Sequence, residues 1–198
     1  MRNHRRQALE PSGKGKQGEE MKSVTMNIDS HEKTWFTPQW ILNVLEPFDL
    51  DPCCPDGKMP WPTARKMVTK SEDGLKANWD NKRVYLNPPY GNVARPFFEK
   101  MAKHRGGGIA LVYARTDTSI WQDLIFPNAS AILFMRKRIK FCRQDGTPGG
   151  QSTAPSAFIA YSGRDADILE ELSDPNGWNI LHGYFLPLPK RCTQHETT

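Results

Sequence analysis

The sequence predicts an α/β fold with a mainly parallel central sheet and helices on both faces. Three observations lead there. Strand-like and helix-like segments alternate along most of the chain, the pattern of strands joined by crossover helices. Residues 108–114 (GIALVYA) are apolar at nearly every position, as an interior strand requires. No internal repeat is apparent, which turns the reading away from solenoids and propellers.

A length of 198 residues suits one domain. The expected organisation is a disordered basic tail over residues 1–23, a single domain over 24–190 and a short tail over 191–198. Net charge is +5, which favours an anionic partner. Residues 1–22 hold six Lys/Arg against three Glu, so the tail carries +3 of that charge and the domain is only mildly basic. Mean hydropathy of -0.66 fits a large polar surface. Cys53, Cys54, Cys142 and Cys192 contain no C-x-x-C pair, and neighbours such as Cys53 and Cys54 do not readily bridge each other. Reduced thiols, a cytoplasmic setting and no metal site are expected. No apolar run reaches membrane-span length, and the basic N-terminus lacks the apolar stretch of a secretory signal.

Thr37 is placed to cap a helix and Pro38 to begin it. Trp40, Ile41, Val44 and Leu45 then recur at helical spacing. A second reading of the same stretch has Trp35 and Thr37 lining a pocket at the helix start. Residues 48–57 (FDLDPCCPDG) read as a short strand ending in a loop of small residues, with Asp51 at the turn. An acid there can accept hydrogen bonds from a cofactor ammonium or a ribose hydroxyl, since ligands bind beyond the carboxyl ends of strands in open α/β sheets. A surface turn rich in Pro and Asp is the plainer alternative for these residues taken alone. Residues 60–69 show no period and read as a loop. In the acidic turn that follows, Asp73 either accepts from an adenine amine or caps the turn.

Residues 83–86 read as a strand. A helix is expected over 95–104, with Phe97, Phe98, Met101 and Ala102 in phase and Gly106-Gly107-Gly108 as its stop. Thr118 or Asp117 is placed to cap a helix containing Ile120, Trp121, Leu124 and Ile125. Strands are expected at 131–134 and 157–161, and a helix at 165–172; the remainder, with Trp178, Tyr184 and Phe185, packs or trails. Between those strands, residues 136–143 hold five basic residues in eight, interleaved with Phe141. Arg136, Lys137, Arg138, Lys140 and Arg143 suit phosphate contact, or equally a solvated basic edge strand. Residues 144–155 read as a long Gly/Pro-rich loop.

The apolar run 84–86 leads straight into Asn87-Pro88-Pro89-Tyr90, a stiff turn with a polar side chain and an aromatic ring at its tip. Pro88 and Pro89 have no N–H, so the backbone there presents acceptors rather than donors. The Asn87 side-chain oxygen and the Pro88 carbonyl suit the two protons of an exocyclic NH₂, and Tyr90 suits stacking on a flat ring carrying it. A Pro-rich turn after an edge strand, with Tyr90 packed on the surface, is the plainer alternative.

Taken in order, these stretches resemble the amino-group methyltransferases that use S-adenosylmethionine, and most closely the small phage-encoded DNA N6-adenine methyltransferase (Dam-like) family. The resemblance rests on Phe36-Thr37-Pro38, Leu50-Asp51, Asp73-Gly74-Leu75, Trp79, Asn87-Pro88-Pro89-Tyr90 and residues 115–121 (RTDTSIW), and spans about residues 34–161. It implies a Rossmann-like methyltransferase fold, S-adenosylmethionine as cofactor and double-stranded DNA as partner, with no obligate protein partner. By analogy, Trp35, Thr37, Pro38, Asp51, Pro52, Cys53 and Asp73 would border the cofactor. Asn87, Pro88, Pro89 and Tyr90 would hold a flipped adenine, and Arg115 with the basic residues of a small insertion around 136–155 would contact DNA. One departure stands out: the usual glycine-rich cofactor loop is replaced by residues 52–57 (PCCPDG), with a single glycine. Asp56 and Glu72 are the candidates for gripping the ribose. The same amine-holding chemistry also serves an RNA base or a protein glutamine amide, and a non-catalytic DNA-binding relative would keep the fold.

Overall fold

The computed structural model describes residues 34–45, 47–173 and 181–189. The expected tails, the stretch 24–33, Trp178 and Cys192 lie outside the described residues. The strands are β1 (Leu50–Cys54), β2 (Lys66–Thr69), β3 (Val84–Leu86), β4 (Gly108–Tyr113), β5 (Ala131–Met135), β6 (Lys140–Cys142), β7 (Pro148–Gln151), β8 (Ser156–Ala160) and β9 (Gly183–Pro187). The helices are α1 (Gln39–Leu45), α2 (Arg95–Lys103), a π-helical segment Ile120–Ile125 that runs into α3 (Phe126–Asn128), and α4 (Gly163–Leu172).

The result is a mixed α/β architecture. The main sheet has seven strands in the order β2-β1-β3-β4-β8-β5-β9. Pairings from β2 through β4 are parallel; β4–β8, β5–β8 and β5–β9 are antiparallel. Since β4 and β5 both oppose β8, β5 runs with the parallel block, and only β8 and β9 are reversed. The expectation of a mainly parallel sheet therefore holds for strand direction but misses these two reversals. Their cause is local. No helix lies between β5 and β8, so the chain cannot cross back over the sheet and must start β8 where β5 ended. α4 then carries the chain from β8 to β9, which run the same way.

Alternate side chains of each strand feed two cores. Tyr85, Ile109, Leu111, Leu133 and Phe158 face α1 and α4 through Ile41, Leu42, Leu45 and Leu169. Val84, Leu86, Ala110, Ile132 and Ile159 face α2 and the π-helical segment through Phe98, Met101, Trp121 and Ile125. Each fully buried side chain of this size contributes about 1.5–3 kcal/mol, so this period-2 alternation fixes the register of every central strand.

Three expectations at the sheet need correction. β1 does not stop at Asp51 but runs through Cys54, with a register slip between Asp51 and Cys54. Pro52 explains the slip, because it cannot donate to the ladder. The stretch 60–69 ends in a strand, β2, rather than being all loop. The 144–155 loop contains β7, which pairs with β6 as a two-stranded hairpin.

Candidate active site

The carboxyl ends of β1, β2, β3, β4 and β5 share one edge of the sheet, and the turn 87–90 leaves it from β3. Asn87 is half-buried, and its amide has no hydrogen-bond partner among the described residues. Pro88 is buried, while Pro89 and Tyr90 are exposed. The turn is released by Gly91, whose backbone (φ 83, ψ -157) is a conformation that essentially only glycine adopts. Tyr90 is 52% exposed and stacks on Tyr113, the last residue of β4, with ring centroids 4.5 Å apart. One face of Tyr90 is thus covered, and Asn87 keeps part of its surface exposed.

Beside it, Asp51 is buried within β1 and not placed at an exposed turn. Its Oδ2 accepts from the Thr63 hydroxyl at 2.5 Å and its Oδ1 from the Cys53 N–H at 2.8 Å. Burial raises the Asp51 pKa, and these two hydrogen bonds work against the rise. Burial, followed by the nearby Asp51 carboxylate, pushes the Cys53 and Cys54 thiols far above their ordinary range. Both thiols therefore stay protonated and are poor nucleophiles.

Thr37 is buried. Its Oγ1 shares a 2.6 Å hydrogen bond with the buried Tyr85 Oη, and its carbonyl accepts from Trp61 Nε1 at 3.0 Å. Pro38 is buried at the start of α1, as expected of a first-turn residue. Trp35 lies against Gly149 of the hairpin, where any added Cβ would strike its ring. A cavity of about 390 Å³ opens past β1 and β2, lined by Cys54, Pro55, Gly57, Met59, Pro60, Trp61, Pro62, Met67 and Thr69. Asp56 and Glu72 stand just beyond, holding the turn after β2: Asp56 accepts from Ser71 N–H and Glu72 from Thr69 N–H. A second cleft, of about 410 Å³, involves Trp79, Lys100 and His104, away from this corner.

Asp73 has a left-handed backbone (φ 61), accepts from Leu75 N–H at 3.1 Å and pairs with Lys76 at 3.1 Å. These contacts hold the turn after β2. The neighbouring Gly74 presses on β1, where an added Cβ would lie 1.8 Å from the Pro52 carbonyl oxygen. Gly74→Ala is therefore expected to cost about 1–3 kcal/mol of stability by overpacking. Urea unfolding measures this, and an unchanged midpoint would show that the contact with Pro52 yields freely.

The basic segment divides. Arg138 donates to the carbonyls of Ser152 (2.9 Å) and Thr153 (2.6 Å), and Arg143 to that of Pro148 (2.9 Å), so both brace the hairpin. Arg136, Lys137, Lys140 and Arg115 are exposed. The hairpin is moored at the turn end of β6 by paired backbone bonds between Phe36 and Cys142, and within the turn by Gln144, which donates to the Lys58 carbonyl at 3.0 Å. That mooring puts the hairpin turn beside the cavity rim. Sequence reasoning missed Thr63, Tyr85, Trp61 and Tyr113 as members of this region. Strand alternation could have placed Tyr85, and Tyr113 closes the strand after the one that carries the turn; nothing local marks Thr63 or Trp61.

Three comparisons bear on the chain. The family model described as DNA N-6-adenine-methyltransferase (Dam) matches residues 24–162, well over half of the chain. A DNA N-6-adenine-methyltransferase of Haemophilus phage HP1 is 25% identical over 143 residues, covering 67% of this chain and 80% of the phage protein. No solved structure matches.

Proposed function

The chain belongs to the DNA N-6-adenine-methyltransferase (Dam) family, and from that premise we propose that it transfers a methyl group from S-adenosylmethionine to the N6 of an adenine flipped out of double-stranded DNA at a specific site. A Rossmann-like fold, a phage or prophage origin and action in a host cytoplasm belong to the same reading. The observation that carries it is the half-buried, unpartnered Asn87 amide beside the half-exposed Tyr90 ring, at the sheet edge where ligands of open α/β sheets bind.

The cavity past β1 fits the cofactor. Its volume lies within the range of about 300–1,000 Å³ typical of ligand pockets. Its lining is mainly apolar, and Trp61 offers an aromatic ring to a cation. Cys54, Met59, Trp61 and Thr69 would border the cofactor there, and Glu72 or Asp56 would reach its ribose. Asp51 would shape the floor through Thr63, instead of meeting the ammonium directly. When bound, the cofactor supplies a methyl group already activated on a sulfonium.

Adenine N6 is a weak nucleophile, because its lone pair is shared with the ring. Acceptors at Asn87 Oδ1 and the Pro88 carbonyl hold both amine protons. They favour a pyramidal nitrogen and stabilise positive charge as it develops there. Tyr90 stacks on the base, which has to leave the duplex to be reached. Cys53 and Cys54, held as neutral thiols, do not compete with the amine for the methyl group. Arg136, Lys137, Lys140 and Arg115 contact the phosphate backbone.

Parallel transfer of a labelled methyl group to unmethylated duplex DNA, RNA and protein tests the proposal. N6-methyladenine in duplex DNA at a fixed sequence is the expected product. Label in RNA or in glutamine, or none at all, would select one of the alternative readings. Replacing Arg136, Lys137 and Lys140 together by Gln is expected to flatten the log–log salt dependence of DNA binding by about 2–3, at about 0.9 per phosphate contact. An unchanged slope in a gel-shift salt titration would remove these three side chains from the interface.

A further inference from the structure

Tyr113 has no part in the chemistry above, but its surroundings give it one. Its ring is nearly coplanar in orientation with that of Tyr90, at an interplanar angle of 3° and a centroid separation of 4.5 Å. The two tyrosines are anchored very differently. The Tyr113 carbonyl accepts from the indole N–H of buried Trp121 at 2.9 Å and from Arg115 N–H at 2.8 Å. Its backbone also pairs with Ser156 of β8. Tyr90, by contrast, sits on an exposed bend outside the sheet, next to Gly91, where an added Cβ would meet nothing within 4 Å. Tyr113 is the fixed ring and Tyr90 the one that needs fixing.

A tyrosine on an exposed bend samples several rotamers, and a stacking partner that has to be ordered on binding weakens the complex. A second ring lying flat against one face removes that freedom, and leaves the other face for a planar ligand. Tyr90 retains 52% of its surface, so the pair is not closed on both sides.

We infer that Tyr113 is a positioning residue for the target base: it holds the plane of Tyr90, so that the free face of that ring receives the extruded purine beside Asn87. The inference rests on the base-capture reading given above. It predicts a three-layer stack of purine, Tyr90 and Tyr113, built on the sheet through β4.

Steady-state methyl transfer on the duplex that wild-type enzyme methylates is the test, with kcat and KM for DNA measured separately and cofactor binding as a control. Tyr113→Phe keeps the ring and is expected to stay within about twofold of wild type, whereas Tyr113→Leu is expected to lose about 3- to 10-fold in kcat/KM for DNA with cofactor affinity unchanged. The decisive readout is coupling. In a Tyr90→Ala background, Tyr113→Leu is expected to add almost no further loss, because it has no ring left to orient. Tyr113→Met replaces Tyr113→Leu if the latter does not fold. Equal losses in both backgrounds, a gain in activity on removing the ring, or a Phe variant as poor as Leu would each overturn the inference. If wild-type enzyme methylates no adenine in DNA, the base-capture reading fails and Tyr113 with it. If wild type is active and the coupling is absent, only the role of Tyr113 fails.

Discussion

Asn87→Ala is expected to slow methyl transfer by about 10²–10³-fold, the range seen when one preorganised polar partner of a transition state is removed. Cofactor affinity is expected to change by less than about twofold, because the residue stands at the base side of the corner. The amine gains positive charge only as the new bond forms, so an acceptor aimed at its protons acts on the transition state more than on the bound substrate. The loss should therefore fall on kcat with little change in KM for DNA. Asn87 is suited to this because its amide is already desolvated on one side and is committed to no other partner among the described residues. Pro88 is buried beside it, so its carbonyl is held in place by the same turn. Asn87→Asp separates acceptor from shape: it keeps an oxygen of the same reach and should retain more activity than Asn87→Ala. Single-turnover kinetics with cofactor bound beforehand gives the chemical step directly. A rate for Asn87→Ala within about threefold of wild type, well inside the expected electrostatic loss, would remove the role assigned to this side chain.

How much of this was legible in the residues depends on how local each signal is. The turn at 87–90 was, because two prolines lock its backbone and an apolar triplet marks the strand before it. α1 was, because Pro38 and the apolar period after it coincide, although the Thr37 hydroxyl pairs with Tyr85 and does not cap the helix. β2 was not: it is a four-residue edge strand with one buried side chain, Val68, so its alternation never emerges. Asp51 looked like a loop acid, because Pro52 and two cysteines follow it, and only the slipped pairing with β2 reveals that the strand continues. The hairpin was hidden because β7 is Pro-Gly-Gly-Gln, with almost no strand propensity of its own. It is held by Arg138, Arg143 and the bridge to Phe36 rather than by its sequence. The reversal of β8 follows from a missing crossover, which no short window of sequence displays. The Thr37–Tyr85 contact joins residues 48 apart in the chain and the Asp51–Thr63 contact residues 12 apart across an irregular loop, so no local pattern displays either.

The stability of the scaffold should depend most on a charge pair at the other end of the sheet. Asp165 is 1% exposed in the first turn of α4, and its Oδ1 accepts from Arg83 Nε at 2.7 Å. Its Oδ2 accepts from the Gly108 N–H at 2.7 Å, at the start of β4, and from the Ser162 hydroxyl. Arg83 in turn donates through Nη1 to the carbonyls of Leu45 and Pro47, at the end of α1, and lies over the Phe48 ring at 4.3 Å. One carboxylate thus links α4, β3, β4 and α1. Removing it strands a buried guanidinium and an unpaired Gly108 N–H. Asp165→Ala is accordingly expected to cost about 3–5 kcal/mol, the range for breaking a buried pair from one side. The pair is not thereby a net source of stability, since burying two charges costs about as much as their attraction returns. Arg83→Met combined with Asp165→Leu, which removes both charges and keeps the volume, is expected to recover much of the loss. The Arg83 Nη2 atom, already buried without a partner among the described residues, makes that recovery easier because its desolvation cost disappears with the charge. Urea denaturation should show lower midpoints with an unchanged slope for the single variant and partial restoration for the double. A single variant costing under about 1 kcal/mol would mean that water reaches this end of the sheet and the pair behaves as an exposed one. A double variant no better than the single would instead place the stabilisation in the fixed geometry of the hydrogen bonds, and not in the balance of charge.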